Sequence, residues 1–236
     1  MSLLTMIQSA TPRIGIPKPQ LIAGSTDDQV LQLMGIANEE GSELSRRYAW
    51  QALTKEGSFT TVATESQGSI TTIAGSDFRY VINETIWNRT QRRPVFGPKS
   101  SQQWQQLKAQ QINGPWYQYR IRGNLIIFIP VPTAGESCYF EWVSKNFVTL
   151  ASGGTSATWV ADGDTGLLDE DLMSAGIIWR WKQIKGLEYA EDFAKYERMV
   201  EDAMARDGSK PRLSLGGGGS ELYYPGVIVP SGNWVV

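Results

Sequence analysis

Apolar side chains recur every three or four positions near the start of the chain, which is the spacing of one face of an α-helix. A first short helix is predicted to begin near Leu3 and to end near Pro12, because proline interrupts helical hydrogen bonding. A second is predicted to be capped by Ser25 or Thr26 and to run to about Thr54. Its apolar stripe comprises Val30, Leu33, Ala37, Gly41, Leu44 and Tyr48.

The same spacing returns after Asp169 and predicts a helical hairpin. One face of its first helix carries Leu172, Gly176, Trp179 and Gln183, with Met173, Ile177 and Ile184 beside it; the second helix carries Phe193, Tyr196, Val200 and Met204. Gly186 is predicted to end the first of these two helices, and Gly208 and Pro211 are predicted to end the second. Asp164 or Thr165 is predicted to cap its first helix.

The middle of the chain changes to short runs of β-branched and aromatic residues, which favour strands. The runs are "SFTTVAT", "GSITTIAG", "ETIWNRT", "WYQYRIRGN", "NLIIFIPVP" and "SCYFEWVSK", and a further small strand is expected at Ala157 to Val160. "RGN" at Arg122 to Asn124 indicates a hairpin turn. "SSQQWQQLKAQQ" interrupts the strands as a short helix capped by Ser100 or Ser101.

Helices at both ends of a β-rich middle predict an α+β fold. The simplest architecture is an antiparallel helical bundle built from both ends of the chain, with an inserted antiparallel β-domain. The expected divisions are 1–56 and 161–208 for the two parts of the bundle, 57–160 for the β-rich domain and 209–236 for an extended C-terminal arm.

The arm is predicted to combine a flexible glycine linker with an uncharged, largely apolar end. Four glycines, Gly216 to Gly219, precede a segment that has no charged side chain from Leu222 onward. Such a segment is prone to aggregate unless something covers it, so it is predicted to bind a partner chain. The predicted contact residues are Tyr223, Tyr224, Val227, Ile228, Val229 and Trp234.

Composition argues against most catalytic chemistry. The 236-residue chain has no histidine, which removes the commonest general base and metal ligand, and has one cysteine, Cys138, which cannot form an internal disulfide. "DGDTGLLDE" fails the spacing of a calcium loop. The pairs Glu39 with Glu40, and Glu136 with Glu141, are interpreted as surface charge. The expectation is a protein that is not an enzyme and binds no metal or cofactor.

Targeting signals and membrane spans are also not expected. The first residues lack the pattern of a secretory signal, and no apolar run approaches the ~18 residues that cross a bilayer. With 41% hydrophobic and 19% charged residues the composition is that of a globular protein, and the single cysteine fits a reducing cytosol.

A basic segment from Thr85 to Gly135 has no acidic residue. It holds seven bases, Arg89, Arg92, Arg93, Lys99, Lys108, Arg120 and Arg122, interleaved with aromatic residues. Bases and aromatics together are typical of a platform for single-stranded nucleic acid. The favoured interpretation is that the aromatics fill a β-core and that Arg89, Arg92 and Arg93 pair with the acidic helical end of a neighbouring subunit.

Four blocks in order resemble one known family, the head-to-tail adaptor proteins of tailed bacteriophages. The blocks are "NEEGSELSRRYAWQALTKEGSFTTVA", "ETIWNRTQRRPVFGPKSSQQWQQLKA", "YRIRGNLIIFIPVPTAGESCYFEWVSKN" and "WRWKQIKGLEYAEDFAKYE". The resemblance covers most of residues 1 to about 212 and does not extend to the last arm.

The resemblance implies a structural protein of the virion, made in the bacterial cytoplasm. Members of this family form a ring, usually of twelve copies, beneath the portal protein. The ring docks tail components, for which a tail tube or nozzle protein is expected here, and lets DNA pass through its lumen. The C-terminal arm is expected to contact the portal or a neighbouring subunit. The alternatives are a single-stranded nucleic-acid-binding accessory protein that uses the basic segment, and a virion enzyme that degrades cell wall or glycan.

Overall fold

The computed structural model describes residues 2–110, 114 and 116–208. In chain order the elements are α1 (Leu3–Ile14), α2 (Asp28–Arg47), a 3₁₀ turn (Gln51–Leu53), β1 (Thr54–Thr60), β2 (Ser66–Ser69), α3 (Ile70–Ala74), β3 (Phe78–Val81), β4 (Trp87–Asn88), β5 (Arg93–Pro94), α4 (Ser101–Gln110), β6 (Gln118–Arg122), β7 (Leu125–Ile129), β8 (Ser137–Ser144), β9 (Val148–Thr149), β10 (Thr155–Ser156), β11 (Thr165–Gly166), α5 (Glu170–Ile184) and α6 (Ala190–Asp207). Six α-helices and antiparallel sheets within the described residues make the fold α+β.

Helix α5 lies at the centre of the helical part. It contacts α1 and α2 from the start of the chain and α6 from its end. Within the predicted stripe of α2, every residue from Val30 to Leu44 is buried. On α5 and α6 the stripes bury Leu172, Trp179, Tyr196 and Val200. Helical periodicity therefore predicted most of the core faces of the three helices, but Gln183 and Ile184 at the end of α5 and Phe193 near the start of α6 are exposed, because all three lie beside the turn that joins the two helices.

The helix boundaries near the start of the chain differ from the predictions. Pro12 lies inside α1, because the hydroxyl of Thr11 donates to the carbonyl of Gln8 that proline leaves without an N–H partner. Asp27, not Ser25 or Thr26, caps α2 by accepting from the backbone N–H of Gln29.

Helix α2 also ends earlier than predicted, at Arg47 rather than Thr54. The chain turns back there, and the indole Nε1 of Trp50 donates to the carbonyl of Leu44 at 2.8 Å. From Thr54 the backbone enters β1, which pairs with β8 along its whole length. The early end of α2 thus carries the chain directly from the helices into the sheet.

Antiparallel sheets form the middle of the chain. The largest orders β1, β8, β4 and β5, with β3 also paired to β8; a second orders β2, β7 and β6; and a third orders β10, β9 and β11. The predicted turn joins β6 to β7, with Gly123 and Asn124 both in the left-handed conformation. Helix α4 forms as predicted, with Ser100 accepting from the N–H of Gln103.

Two strand predictions were wrong. "GSITTIAG" splits into β2 and the short helix α3: the N–H of Ile70 donates to the carbonyl of Asn124 at the end of the β2–β7 pairing, and the N–H of Gly75 donates to the carbonyl of Thr71 to close a helical turn. Ala157 to Val160 form no strand; the neighbouring pair Thr155–Ser156 does. The N–H of Val160 is used elsewhere, since it donates to the carboxylate of Asp164.

Asp164 organises the loop before α5 and does not cap the helix. Its buried carboxylate accepts from the N–H groups of Ala151 at 3.0 Å, Val160 at 2.8 Å and Ala161 at 2.7 Å. The cap of α5 is Asp169, which accepts from the N–H groups of two residues in the first turn. Burial acts to raise the pKa of Asp164, but the three backbone hydrogen bonds outweigh it and lower the pKa below its ordinary value.

Replacing Asp164 with asparagine is expected to lower the free energy of unfolding at neutral pH by about 1–3 kcal/mol. Both carboxylate oxygens accept from backbone N–H groups, so the NH₂ group of asparagine would face a backbone donor in place of one of these acceptors. A carboxylate whose folded pKa is lowered stabilises the fold above its unfolded pKa, and that contribution disappears as pH falls through the folded value. Urea unfolding at neutral and acidic pH should therefore show a smaller difference between the two proteins in acid.

The exposed Asp202→Asn serves as the control, with an expected change within about 0.5 kcal/mol. An equal loss of stability for both substitutions, or a loss that does not shrink in acid, would contradict this account of Asp164.

Candidate interaction surfaces

The three arginines predicted at a subunit interface lie on and beside the short β4–β5 hairpin. The side-chain oxygen of Asn88 accepts from the N–H of Gln91 at 2.9 Å, which fixes the start of the turn. Arg92 has a φ of 54°, so the chain reverses in the left-handed region at this residue. Arg89 and Arg92 are exposed, and Arg93 is half-buried. The hairpin thus presents positive charge at the surface.

A buried carboxylate supports this hairpin from beneath. Glu136, which is 4% exposed, accepts from the side-chain amides of Asn88 at 2.6 Å and Gln91 at 2.9 Å. The interpretation of Glu136 as surface charge was therefore wrong, whereas Glu141 is exposed as expected. The two amide donors explain the burial, since a buried carboxylate needs hydrogen-bond partners.

Aromatic rings hold two of the arginines in place. The guanidinium of Arg89 lies 3.6 Å from the centre of the Tyr139 ring and forms an ion pair with Glu56. That of Arg93 lies 5.5 Å from the centre of the Trp116 ring. Such cation–π contacts orient a guanidinium, and for Arg89 the carboxylate of Glu56 also offsets part of its charge. The geometry fixes the direction in which the hairpin displays its charge.

A second group of charged residues joins the three helices α2, α5 and α6. Arg180 of α5 donates to Glu40 at 2.7 Å, to Glu39 at 3.0 Å and to Glu43 at 2.6 Å. The hydroxyl of Tyr196 of α6 donates to the other oxygen of Glu40 at 2.5 Å. Glu40 is fully buried, so the interpretation of Glu39 and Glu40 as a surface pair holds only for Glu39.

Burial and charge act against each other in this cluster. Desolvation raises the pKa of Glu40, although hydrogen bonds from Tyr196 and Arg180 oppose the shift. Burial and the charge of Glu40 raise the pKa of Tyr196. For Arg180, burial acts to lower the pKa, but its bonds to Glu40 and Glu43 raise it overall, so the guanidinium stays charged. The cluster holds a charged arginine between three helices.

A groove opens between the start of α5 and the end of α6 and encloses about 420 Å³. Its apolar lining includes Trp50, Leu172, Met199 and Ala203. Its charged lining is four carboxylates, Asp169, Asp171, Asp202 and Asp207, and one base, Arg206. A second groove of about 390 Å³, between α1 and α6, shares Asp171 and Met199 with the first.

Comparison with known protein families identifies the chain. The model of the SU10 adaptor protein family matches residues 1–217. The chain belongs to the SU10 adaptor protein family. No curated protein matches the sequence. Membership makes this adaptor a phage head-tail adaptor, a structural component of the virion, which confirms the resemblance seen in the sequence.

The predicted contact residues of the adaptor's C-terminal arm lie outside the described residues. They are Tyr223, Tyr224, Val227, Ile228, Val229 and Trp234. The family match ends at residue 217, so these positions also lie beyond it. Their role as a docking segment stays a prediction.

Sequence reasoning missed the buried charges of the adaptor, although one signal was present. Arg180 stands between Trp179 and Trp181 in the apolar run of α5, and all three are buried. An arginine with buried aromatic neighbours on both sides indicates a buried partner, because an uncompensated buried charge is very unfavourable. Nothing near Glu136 or Asp164 gives a comparable signal, because their partners are backbone and amide groups of loops.

Two kinds of feature are absent from the described part of the adaptor. None of its helices has both the length and the apolar character of a membrane span. Its histidine, cysteine and carboxylate side chains form no group of three or more that would hold a metal ion. Cys138 is buried, and burial raises the pKa of its thiol to about 12.

Proposed function

We propose that this adaptor forms a ring beneath the portal protein, docks tail components on its far side and lets DNA pass through its lumen. The family match over residues 1–217 carries the proposal. The exposed arginines of the hairpin and the acidic excess among the exposed side chains of the helical end are consistent with it. Twelve copies are the number that the family resemblance implies.

The subunit contact is formed by charge complementarity. The arginine hairpin of one copy, with Arg89 and Arg92 exposed, meets the α5–α6 region of the next. From Asp169 to Asp207 the exposed charged residues are six acids and four bases: Asp169, Asp171, Glu188, Glu191, Glu201 and Asp202 against Lys185, Lys195, Arg198 and Arg206. Such pairing sets register and partner choice more than affinity.

DNA contact is passive in this proposal. A lumen lined with arginine and lysine would bind phosphates and slow passage. The α5–α6 hairpin is the candidate for the lumen surface, because its exposed side chains are of mixed sign with an acidic excess.

The packing of aromatic residues favours the adaptor role over binding of single-stranded nucleic acid. Trp104 and Tyr119 of the basic segment are fully buried and cannot stack on bases. Tyr117 stacks on the buried Phe128, and Trp116 packs against Phe96. These rings serve the β-rich core and the arginine hairpin.

Co-expression with the portal protein of the same phage tests the proposal. We expect the isolated adaptor to be monomeric or weakly associated and to form a ring only on the portal. Light scattering after size-exclusion chromatography distinguishes the two. Charge reversal by Arg92→Glu should weaken ring formation, and at higher salt the wild-type ring should weaken as well, because exposed charges are screened.

Lys18→Glu is the matched control, since Lys18 is an exposed base outside the hairpin. A stable ring without portal would overturn the templating part of the proposal. Equal assembly of the Arg92→Glu and Lys18→Glu variants would overturn the charge pairing, and failure to associate with portal at all would overturn the function.

A further inference from the structure

The groove between α5 and α6 lies where the described chain ends. Asp207, the last residue of α6, is one of its lining residues, and the N–H of Gln51 donates to its carboxylate at 2.8 Å. Gly208 follows immediately, and a Cβ atom added there would meet the hydroxyl of Tyr48. The 28 residues from 209 to 236 therefore start at the edge of this groove.

The lining of the groove, with four carboxylates against the single base Arg206, suits an occupant with an apolar surface and positive charge. Met199 and Ala203 of α6 and Leu167 before α5 are half-buried and line it above the buried Leu172. Asp171 and Asp202 are exposed beside this apolar lining. An apolar patch with acidic residues at its rim binds an apolar segment that is flanked by bases.

The chain beyond Gly208 carries both bases and an apolar segment. "SKPRLSL" from Ser209 to Leu215 carries Lys210 and Arg212, and the glycine run, Ser220 and one acid, Glu221, follow. From Leu222 the segment has no charge and contains two tyrosines, a tryptophan and the run "VIV". The bases come first along the chain, next to the carboxylates, and the apolar residues follow at a distance.

We propose that in the free adaptor the groove is occupied by residues 222–236 of the same chain. Thirteen residues separate Gly208 from Leu222, positions 209 to 221. An extended chain spans up to ~3.3–3.6 Å per residue, so this linker is long enough to turn back over a groove beside its own starting point. Lys210 and Arg212 pair with the groove's carboxylates as the chain leaves.

Tethering favours this occupant over a second copy. A short flexible linker gives an effective concentration in the mM range, far above the concentration of free chains in a dilute solution. Occupation also covers an uncharged segment that would otherwise promote aggregation. A portal or neighbouring subunit that binds this segment competes with the groove, so assembly releases the segment. In the free chain, the groove keeps the docking segment from binding other chains.

Cysteine labelling in the groove tests the proposal. Ala203→Cys places a thiol on the half-buried wall, and the native Cys138 is buried with a raised pKa, so it contributes little background. The rate of reaction with a thiol reagent is compared between the full chain and a chain ending at Leu215. If the effective concentration is ~1 mM and the local dissociation constant ~0.1 mM, labelling of the full chain should be about tenfold slower.

Two variants and a concentration series complete the test. Ala194→Cys, at an exposed position of α6 outside the groove, should react equally in both chains. Trp234→Ala in the full chain should restore most of the labelling at Ala203→Cys. The protection should not depend on protein concentration.

Each contrary result has a defined meaning. Equal rates at Ala203→Cys in the full and shortened chains would overturn the proposal. Protection that grows with protein concentration would assign the groove to the segment of a second copy and overturn occupation within one chain. None of these readouts depends on ring formation on a portal, so they can fail while the proposed function stands.

Discussion

Replacing Arg180 with methionine is expected to lower the free energy of unfolding by about 3–5 kcal/mol, because removing one partner of a buried ion pair leaves the other charge uncompensated. Glu40 would keep the hydroxyl of Tyr196 as its only donor among the contacts described above. Its carboxylate is fully buried and has no access to water in the folded chain. Urea unfolding at neutral pH measures the loss.

A second substitution separates the charge from the packing. In Glu40→Gln/Arg180→Met neither buried ionised group remains, so we expect much of the lost stability to return. Arg198→Met removes an exposed arginine of α6 and should change stability by no more than about 0.5 kcal/mol. A loss for Arg180→Met below about 1 kcal/mol, the range of exposed ion pairs, would show that the cluster is not a buried one.

The cluster has a functional consequence because of where its members lie. Arg180 joins α5 to Glu40 of α2, and Tyr196 joins α6 to the same carboxylate. The nearby ion pair between Arg47 and Glu197, at 2.8 Å, adds a second link from α2 to α6. These links fix the orientation of the α5–α6 hairpin, which carries the groove and the acidic surface.

Local pattern predicted the parts of the fold that depend on nearby residues. The stripes of α2, α5 and α6, the short helix α4 and the turn at Arg122 to Asn124 all rest on contacts that the sequence spacing itself dictates. The break at Gly186 is of the same kind, since its φ of 67° is one that glycine adopts readily.

Features that depend on distant partners could not be predicted in the same way. The sequence around Asp164 predicts a helix cap, because nothing in it shows that the backbone N–H groups of Ala151 and Val160 donate to this carboxylate. Glu136 reads as surface charge until the hairpin with Asn88 covers it. Spacing along the sequence does not show which distant loops the sheet brings together.

The family resemblance predicted the function better than sequence periodicity did, but it did not identify the residues that carry the function. The four resembling blocks led to the correct family, although none of them marks an interface. Interface roles for Arg89, Arg92 and Arg93 stay predictions, and the structure adds what orients two of these side chains. The groove was not predicted, because residues of α5 and α6 line it together with Trp50 and residues of the loop before α5.

Two glycines of the same helix should respond in opposite ways to replacement by alanine. Gly41 lies on the buried stripe of α2, and a Cβ atom there would come closer than 3.0 Å to the ring of Phe147. That ring is fully buried, so it has little freedom to move aside. Gly35 is exposed, and a Cβ atom added there meets nothing within 4 Å.

We expect Gly41→Ala to lower the free energy of unfolding by about 1–3 kcal/mol, the usual range for overpacking a core. Gly35→Ala should raise it by about 0.5–1 kcal/mol, because alanine is the better helix former and nothing opposes it. Because the backbone change is the same in both variants, the difference between them measures the contact with Phe147. Thermal and urea unfolding of the two variants beside the wild type give that difference.

A smaller residue at position 147 tests the cause directly. In Gly41→Ala/Phe147→Leu the new methyl group has room, so the double variant should lose less stability than the two single variants together. Simple additivity would mean that the ring is not what Gly41 accommodates. A gain in stability for Gly41→Ala would mean that α2 and the chain around Phe147 can separate without loss, contrary to the close packing that this glycine permits.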